Sequence, residues 1–255
     1  MNAPLLQLSG IRKNFGGFAA VDGIEFDVPR GSISGLIGPN GAGKTTLFNV
    51  IAGMTVPDDG AVILDGTPLT GRPPHQVFAS GLARTFQIPR PFPAMTVLEN
   101  LMIVPRPQVG ERFWNNWLRP GAVGAQEVAL RAKAEEVLDF CNLSQVAGSE
   151  AQNLSGGQHK LLELARILMA DPKIILLDEP AAGVNPSLMR DLVDKILALN
   201  EQGYTFLIIE HNMDVVMSIC DPIFVMAQGK LIYQGNAAGV RADQTVLDAY
   251  LGEAP

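Results

Sequence analysis

Two kinds of hydrophobic pattern alternate along the chain. Four short runs are apolar at nearly every position, and they cover residues 33–37, 174–177, 204–209 and 223–226. A continuous apolar run predicts a strand that is covered on both faces, as in a parallel sheet between layers of helices. Segments with helical spacing lie between these runs. The alternation of the two patterns predicts an α/β fold.

The helical segments have recognisable ends. Helices are predicted over residues 44–52, 156–170 and 186–202. The first and third stop before a glycine, and the second stops at Asp171-Pro172. The third helix opens with the pair Asn185-Pro186, which suits the cap and the first helical position. These helices are expected to cover the faces of the parallel sheet.

Two other regions depart from this alternation. In the N-terminal third, segments 5–8, 24–28 and 61–64 and their Asp-Gly turn signals predict antiparallel strands beside the parallel core. Strand signal is weak between residues 96 and 153, and we predict a mostly helical subdomain inserted at about 88–168. Its helical stripe consists of Leu130, Ala134, Val137 and Cys141.

Composition narrows the class of protein. Of the 255 residues 47% are hydrophobic and 18% charged, which is typical of a folded globular protein and excludes a disordered chain. The formal charge of −7 argues against a broad nucleic-acid-binding face. Cys141 and Cys220 are too few for a disulfide framework and are expected to be buried thiols. Because no apolar run reaches about 18 residues and the N-terminus lacks the order of a signal peptide, we expect a soluble, cytoplasmic protein.

The first chemical motif connects the apolar run at 33–37 to the helix predicted from residue 44. Its residues are Gly38, Pro39, Asn40, Gly41, Ala42, Gly43, Lys44 and Thr45, and Thr46 follows. This is the phosphate-binding P-loop pattern in the strand-to-helix context that it requires, which disfavours the alternative of a glycine-rich turn with a solvated lysine. Backbone N–H groups and the helix N-terminus are expected to bind nucleotide phosphates. Lys44 is predicted to reach the β- and γ-phosphates, and the Thr45 hydroxyl to ligate Mg²⁺.

The second motif is a pair of carboxylates at the end of the apolar run 174–177. Asp178 and Glu179 are followed by Pro180. Ligands of α/β proteins bind at the carboxyl edge of the sheet, where these groups are expected to lie. Asp178 suits a Mg²⁺ ligand, and Glu179 suits the general base that activates a water molecule. The alternative interpretation is two solvated acids at a strand end. It is disfavoured because a P-loop lies upstream in the sequence.

The third motif identifies a family. It reads Leu154, Ser155, Gly156, Gly157 and Gln158, and it places a second anion-binding arrangement at a helix start. With the P-loop and the Asp-Glu strand in the same order, nearly the whole chain resembles the ATP-binding-cassette (ABC) ATPases. The resemblance implies a P-loop NTPase (RecA-like) core over 1–87 and 169–255, with a mostly parallel sheet and an antiparallel region. It also implies that the helical subdomain at 88–168 carries this signature motif.

In this family the signature motif of one subunit completes the ATP site of a second. The resemblance therefore implies that Ser155 and Gly157, with Gly156 and Gln158, contact nucleotide held by a partner cassette. A compatible interpretation from the residues alone is that Ser155 caps the helix.

Three single residues gain a role only from the resemblance. Gln87 matches the glutamine that senses Mg²⁺, although a lone glutamine is otherwise a surface polar residue. His211, at the end of an apolar strand, matches the histidine that contacts the γ-phosphate, with a structural hydrogen bond as the alternative. Phe15 matches the aromatic residue that stacks on adenine, with core packing as the alternative.

The loop after Pro180 departs from the common pattern. Asn185 stands where many ABC proteins have an aspartate, so helix capping is a candidate for its main role. The loop resembles that of the ATPases of branched-chain amino acid importers. Other segments agree with that subgroup: Ala83-Arg84-Thr85-Phe86-Gln87, Thr96-Val97-Leu98-Glu99-Asn100, Glu210-His211-Asn212-Met213 and Asp248-Ala249-Tyr250-Leu251-Gly252-Glu253.

The segment 105–125 has two interpretations. Its aromatic and apolar residues have helical spacing and are Phe113, Trp114, Trp117 and Leu118. They form either an exposed patch that docks a membrane subunit or a loop that packs back on the helical subdomain.

The resemblance implies an ATP-binding and ATP-hydrolysing subunit of a bacterial ABC importer, with branched-chain or related amino acids as the expected cargo. The expected cofactors are ATP and Mg²⁺. The expected partners are a second cassette, identical or related, transmembrane permease subunits and, indirectly, a periplasmic or extracellular solute-binding protein, without nucleic acid. The chain is then expected at the inner face of the cell membrane. The alternatives are a non-transport ABC ATPase, such as that of iron–sulfur cluster assembly, and a nucleotide-binding regulator without turnover.

Overall fold

The computed structural model describes residues 3–85, 91–105, 108, 114, 117, 120–180, 182–183 and 185–251. These residues form two compact units. The first comprises the described parts of 1–87, 172–183 and 189–255, and the second those of 88–171 and 184–188. The helical subdomain predicted at 88–168 falls within the second unit.

The strands found in the described residues all belong to the first unit. They are β1 (Leu6–Phe15), β2 (Phe18–Val28), β3 (Ile33–Ile37), β4 (Asp59–Leu64), β5 (Thr67–Pro68), β6 (Leu82–Arg84), β7 (Ile174–Asp178), β8 (Thr205–Ile209), β9 (Ile223–Ala227) and β10 (Lys230–Gly235). The α-helices among the described residues are α1 (Lys44–Ile51), α2 (Pro74–Ala79), α3 (Val97–Met102), α4 (Pro120–Phe140), α5 (Gly156–Leu168), α6 (Pro186–Glu201), α7 (Met213–Ile219), α8 (Ala237–Ala242) and α9 (Gln244–Leu251).

The larger sheet confirms the predicted parallel core. Its strand order is β10-β9-β3-β8-β7-β6, and β10 alone among these described strands pairs antiparallel to its neighbour. Every residue of β3, β7 and β8 is buried, as their continuous apolar runs predict. The sequence analysis missed β6 because its three residues are too few to form a pattern, although β6 pairs in parallel with β7.

The smaller sheet confirms the predicted antiparallel region. Its order is β2-β1-β4-β5, and its strands are longer than the segments predicted from the sequence. β1 and β2 continue to a tight hairpin in which Phe15 pairs with Phe18. The extra length carries both rings beyond the buried part of the sheet.

One hydrophobic core joins the two sheets and fixes the helix that follows the P-loop. The rings of Phe26 in β2 and Phe224 in β9 stack with centroids 4.1 Å apart. Leu47, Phe48 and Ile51 of α1 are fully buried in the same cluster. Since burial of each such side chain contributes about 1.5–3 kcal/mol, this face holds α1 firmly against the sheet.

The second unit is helical in its described part. α3 begins with a capping box in which the Thr96 hydroxyl accepts a hydrogen bond from the Glu99 backbone, and the Glu99 carboxylate accepts one from Thr96. Ala134 and Cys141 of the predicted stripe are fully buried, with Leu138 between them. Cys141 and Cys220 are buried thiols, as predicted, and burial raises the pKa of Cys220 to about 12.

Of the four aromatic and apolar residues singled out in segment 105–125, two are described. Trp114 and Trp117 are 68% and 85% exposed, whereas Phe113 and Leu118 lie outside the described residues. Docking of a membrane subunit at this segment stays a prediction. None of the described helices has both the length and the hydropathy of a membrane span.

Candidate nucleotide-binding site

A pocket in the first unit brings most of the predicted site residues together. Its volume is about 320 Å³, and residues 40–46 of the P-loop form one wall. The other walls are formed by Phe15, Phe18, Ala20, Glu179 and His211. Three sequence-distant segments therefore meet at one opening: the β1–β2 hairpin, the loop between β3 and α1, and the carboxyl ends of β7 and β8.

The P-loop backbone requires glycine at two positions where it approaches other strands. Gly38 and Gly43 have positive φ angles of 149° and 96°. A Cβ atom would collide with the Met226 carbonyl oxygen at Gly38 and with the Ala20 carbonyl oxygen at Gly43. The two glycines thus allow the loop to lie close against β2 and β9 while α1 starts directly behind it.

Lys44 is the first residue of α1 and is almost fully buried. Its Nζ atom donates hydrogen bonds to the carbonyl oxygens of Gly38, at 2.7 Å, and Pro39, at 2.8 Å. The ammonium group is thereby held inside the curve of the loop. This contact offsets the cost of removing the charge from water.

Glu179 and His211 form a hydrogen-bonded pair on the pocket wall. The Oε1 atom of Glu179 lies 3.0 Å from Nε2 of His211. Glu179 has a left-handed φ of 49°, and its backbone N–H donates to the Ile209 carbonyl oxygen at the end of β8. A left-handed conformation costs a glutamate about 1 kcal/mol or more, and such strain is concentrated at functional sites. The neighbouring Glu210 accepts hydrogen bonds from the backbone N–H groups of His211 and Asn212, which fixes the turn that presents the imidazole.

Asp178 does not line the pocket, although its position at the end of β7 suggested that it would. It is 3% exposed, and its Oδ2 atom accepts a hydrogen bond of 2.6 Å from Nη2 of Arg84. Its backbone N–H donates to the hydroxyl of Thr85. Its Oδ1 atom is buried and has no hydrogen-bond partner among the described residues. The adjacent residues Arg84 and Thr85 therefore hold Asp178 at both its carboxylate and its backbone.

The β1–β2 hairpin presents two aromatic rings to the pocket. Phe15 and Phe18 are 54% and 62% exposed, so core packing does not explain Phe15. Below the hairpin tip, Asp58 accepts hydrogen bonds from the Lys13 ammonium and from the backbone N–H of Asn14. The Lys13 hydrogen bond, with that of the Asn14 backbone, holds the pKa of Asp58 below its ordinary value. This clamp is an ionised surface contact that fixes the end of β1.

We expect the Phe15→Ala substitution to raise the dissociation constant for ATP about tenfold, because stacking of a base on an aromatic ring is worth roughly 1–3 kcal/mol. The affinity for inorganic tripolyphosphate should stay unchanged, since the ring is not part of the P-loop. Calorimetric titration with both ligands measures the difference. Phe78→Ala, at a partly exposed ring on α2, is the matched control. Equal losses for ATP and tripolyphosphate would rule out a base contact.

The signature motif lies in the second unit and begins α5. Ser155 caps this helix: its hydroxyl accepts from the Gln158 backbone N–H, and the Gln158 side chain accepts from the Ser155 backbone N–H. Gly156 is exposed, and a Cβ atom on Gly157 would collide with Leu188. The predicted capping role of Ser155 is confirmed, and the start of the helix is accessible.

Asn185 also caps a helix. Its Oδ1 atom accepts hydrogen bonds from the Leu188 backbone N–H, at 2.9 Å, and from the Ser187 hydroxyl, at 2.8 Å. The departure from the usual aspartate therefore keeps a capping oxygen at this position.

The structure leaves one predicted site residue untested, and the sequence analysis missed the role of two others. Gln87 lies outside the described residues. Phe18 received no role from the sequence because its pairing with Phe15 depends on the hairpin register. Arg84 was noted only as part of a subgroup segment, although its guanidinium contacts the predicted metal ligand Asp178.

Comparison with known proteins decides the family. Residues 21–182 match the family described as ABC transporter. The chain belongs to this family. Proteins of the family hydrolyse ATP to power transport, and this ABC cassette is accordingly an ATP-hydrolysing enzyme with a nucleotide-binding fold. ABC ATPase subunits in general dimerise, work with membrane permease components and associate with the cytoplasmic side of the membrane.

Full-length relatives are similar to this ABC cassette. A probable branched-chain amino acid transport ATP-binding protein LivG of Archaeoglobus fulgidus is 42% identical over 252 residues, covering 97% of this chain and 95% of that protein. The high-affinity branched-chain amino acid transport ATP-binding protein BraF of Pseudomonas aeruginosa is 40% identical, with full coverage of both chains. The crystal structure of a nucleotide-free ATP-binding cassette from an ABC transporter has a TM-score of 0.84 and 39% identity, covering 98% of this chain and 100% of the other. The predicted fold class is confirmed.

Proposed function

We propose that this ABC cassette is the ATP-hydrolysing subunit of an importer for branched-chain or related amino acids. The observation that carries the chemistry is the pocket in which the P-loop faces the Glu179–His211 pair. The cargo is inferred from the relatives named for branched-chain amino acid transport, which match along the full chain. The solute itself is expected to be recognised by other subunits.

Each group on the pocket wall has a proposed role in hydrolysis. Lys44 exchanges its contacts with the Gly38 and Pro39 carbonyl oxygens for oxygens of the β- and γ-phosphates. The P-loop residues from Gly38 to Thr46 bind phosphate through their backbone N–H groups and the start of α1. Phe15 stacks on the adenine base.

Glu179 is the proposed general base. Its carboxylate is only partly buried on the pocket wall, so it is accessible to a water molecule. Accepting the proton from that water as it attacks the γ-phosphate makes the water a stronger nucleophile. His211, at hydrogen-bond distance from Glu179, orients the carboxylate and contacts the γ-phosphate.

The residues of the site fit a Mg²⁺ ion. The buried Oδ1 atom of Asp178 lacks a hydrogen-bond partner in the described part of the chain, which suits a metal ligand or its water. We propose that Asp178, the Thr45 hydroxyl and Gln87 hold the ion. When bound, Mg²⁺ neutralises charge on the phosphates. Few protein ligands are needed, because Mg²⁺ keeps several waters and binds substrate phosphates.

A second cassette is proposed to complete the site. The exposed start of α5 carries Ser155, Gly156, Gly157 and Gln158. The backbone N–H groups of the two glycines and the helix dipole suit the γ-phosphate of nucleotide held by the partner. The partner is either another copy or a related chain. The remaining proposed partners are the transmembrane permease subunits and, through them, a periplasmic or extracellular solute-binding protein, at the inner face of the cell membrane.

The test of this proposal is a pull-down from detergent-solubilised native membranes, with the tag alone as control. We expect to recover a second cassette and two multi-span permeases, whose associated binding protein then identifies the solute. Recovery of soluble partners only, in conditions that keep other ABC transporters intact, would contradict the importer assignment. The ATPase chemistry would then fit a non-transport ABC protein, such as one that assembles iron–sulfur clusters.

A further inference from the structure

We propose that Arg84 is the resident counter-ion of Asp178: it neutralises this carboxylate when no cation is bound, and it thereby lowers the affinity of the site for Mg²⁺. This inference rests on the proposed function in one respect, the assignment of Asp178 as a Mg²⁺ ligand. It adds a positioning residue that the sequence motifs did not reveal. Three contacts of Arg84 carry the argument.

The first observation is how deeply the pair is buried. The side chains of Arg84 and Asp178 are 8% and 3% exposed, and Nη2 of Arg84 lies 2.6 Å from Oδ2 of Asp178. A buried carboxylate without an opposite charge is strongly destabilising, whereas a paired one is tolerated. Arg84 is the cation that contacts Asp178 in the described part of the chain.

The second observation is that the guanidinium is fixed from several sides. Its Nη1 atom donates to Oδ1 of Asn49 at 2.7 Å, and its Cζ atom lies 5.6 Å from the centroid of the Phe48 ring. Both residues belong to α1. Arg84 therefore ties the strand that ends in Asp178 to the helix that follows the P-loop.

The third observation connects this contact to the proposed metal site. Asn49 lies four residues after Thr45, so the two side chains are neighbours on one face of α1. The guanidinium contacts Asn49 with one nitrogen and Asp178 with another. Asp178 is thereby held beside the face of α1 that carries the proposed Mg²⁺ ligand Thr45, with Oδ2 bound and Oδ1 left over.

The direction of the effect follows from a thermodynamic cycle. Without Mg²⁺, removal of the Arg84 charge leaves Asp178 buried and unpaired. With Mg²⁺, the metal supplies the positive charge, so the same removal costs less. Because the substitution destabilises the metal-free state more than the metal-bound state, it must strengthen Mg²⁺ binding. A residue that acted only by orienting Asp178 would produce the opposite change.

The experiment compares nucleotide affinity with and without the metal. For each variant, a non-hydrolysable ATP analogue is titrated by calorimetry, once with EDTA and once with saturating Mg²⁺. The measured quantity is the dissociation constant in EDTA divided by that in Mg²⁺. We expect Arg84→Gln to raise this ratio about fivefold or more. Arg84→Lys keeps the charge and is the matched control, with a ratio close to that of the wild type.

An unchanged or lower ratio in Arg84→Gln would overturn the proposal. If the wild-type protein fails to bind the analogue at all, the proposed ATP site is wrong, and that failure is distinct from one confined to the Arg84 variants. In that case the pairing of Arg84 with Asp178 can still be tested by measuring unfolding temperatures.

A second measurement covers the case in which Arg84→Gln is too unstable for the titration. The unfolding temperature of the nucleotide-free protein is compared for Arg84→Gln, Asp178→Asn and the double variant. Arg84→Gln should lower the unfolding temperature. We expect the double variant to recover more than half of this decrease, because neither charge is then left unpaired. Additive losses, or a double variant that also fails to fold, would overturn the proposal.

Discussion

Replacing Glu179 by glutamine is expected to lower ATP hydrolysis by about a hundredfold or more, because an amide cannot accept the proton of the attacking water. ATP binding should remain intact, since Glu179 is not part of the P-loop. Glutamine has the size of glutamate and keeps a side-chain oxygen for the contact with His211. With binding retained and turnover blocked, an ATP-bound dimer should accumulate.

Phosphate release from the cassette with its co-purifying chains, calorimetric ATP titration and gel filtration measure these three effects. Glu201→Gln makes the same chemical change at an exposed position near the end of α6 and is the matched control. A wild-type rate of hydrolysis in the Glu179→Gln variant would remove Glu179 from the role of general base.

Replacing Lys44 by alanine is expected to weaken ATP binding itself. A hydrogen bond from a charged group is worth about 1.5–3 kcal/mol, so the dissociation constant should rise roughly ten- to a hundredfold. In the nucleotide-free protein the ammonium already lies inside the loop, bound to the Gly38 and Pro39 carbonyl oxygens. The substitution therefore removes the one charged side chain on the P-loop wall of the pocket.

Direct calorimetric titration with ATP measures this loss. Lys230→Ala also removes an ammonium group, at an exposed site on β10, and should bind ATP like the wild type. If Lys44→Ala keeps wild-type affinity, the phosphates do not bind where the P-loop pattern places them.

The sequence predicted those parts of the site that consist of contiguous residues. The run from β3 through the P-loop into α1 is local, and Gly38 and Gly43 in it are required by close backbone approaches. The same holds for the buried strand that ends in Asp178 and Glu179. In both cases the strand, the chemistry and the spacing lie within a few residues of each other.

The parts that the sequence did not predict depend on packing between distant segments. Arg84 is the last residue of a strand of only three residues, and its contacts come from α1 and β7, which lie far from it in sequence. Phe18 enters the pocket only because the hairpin register pairs it with Phe15. Neither periodicity nor a short motif predicts such contacts between distant segments, so only the folded structure shows them.

The left-handed backbone of Glu179 has a consequence for attempts to make this enzyme more heat-resistant. Glycine adopts that conformation without strain, so loss of the glutamate side chain would relieve the backbone at residue 179. A screen that selects for thermal stability alone would thus favour glycine at residue 179 and yield an inactive protein. Selection for thermal stability in this cassette therefore has to be coupled to a measurement of ATP turnover. The proposed general base is also a residue whose strained backbone lowers the stability of the fold.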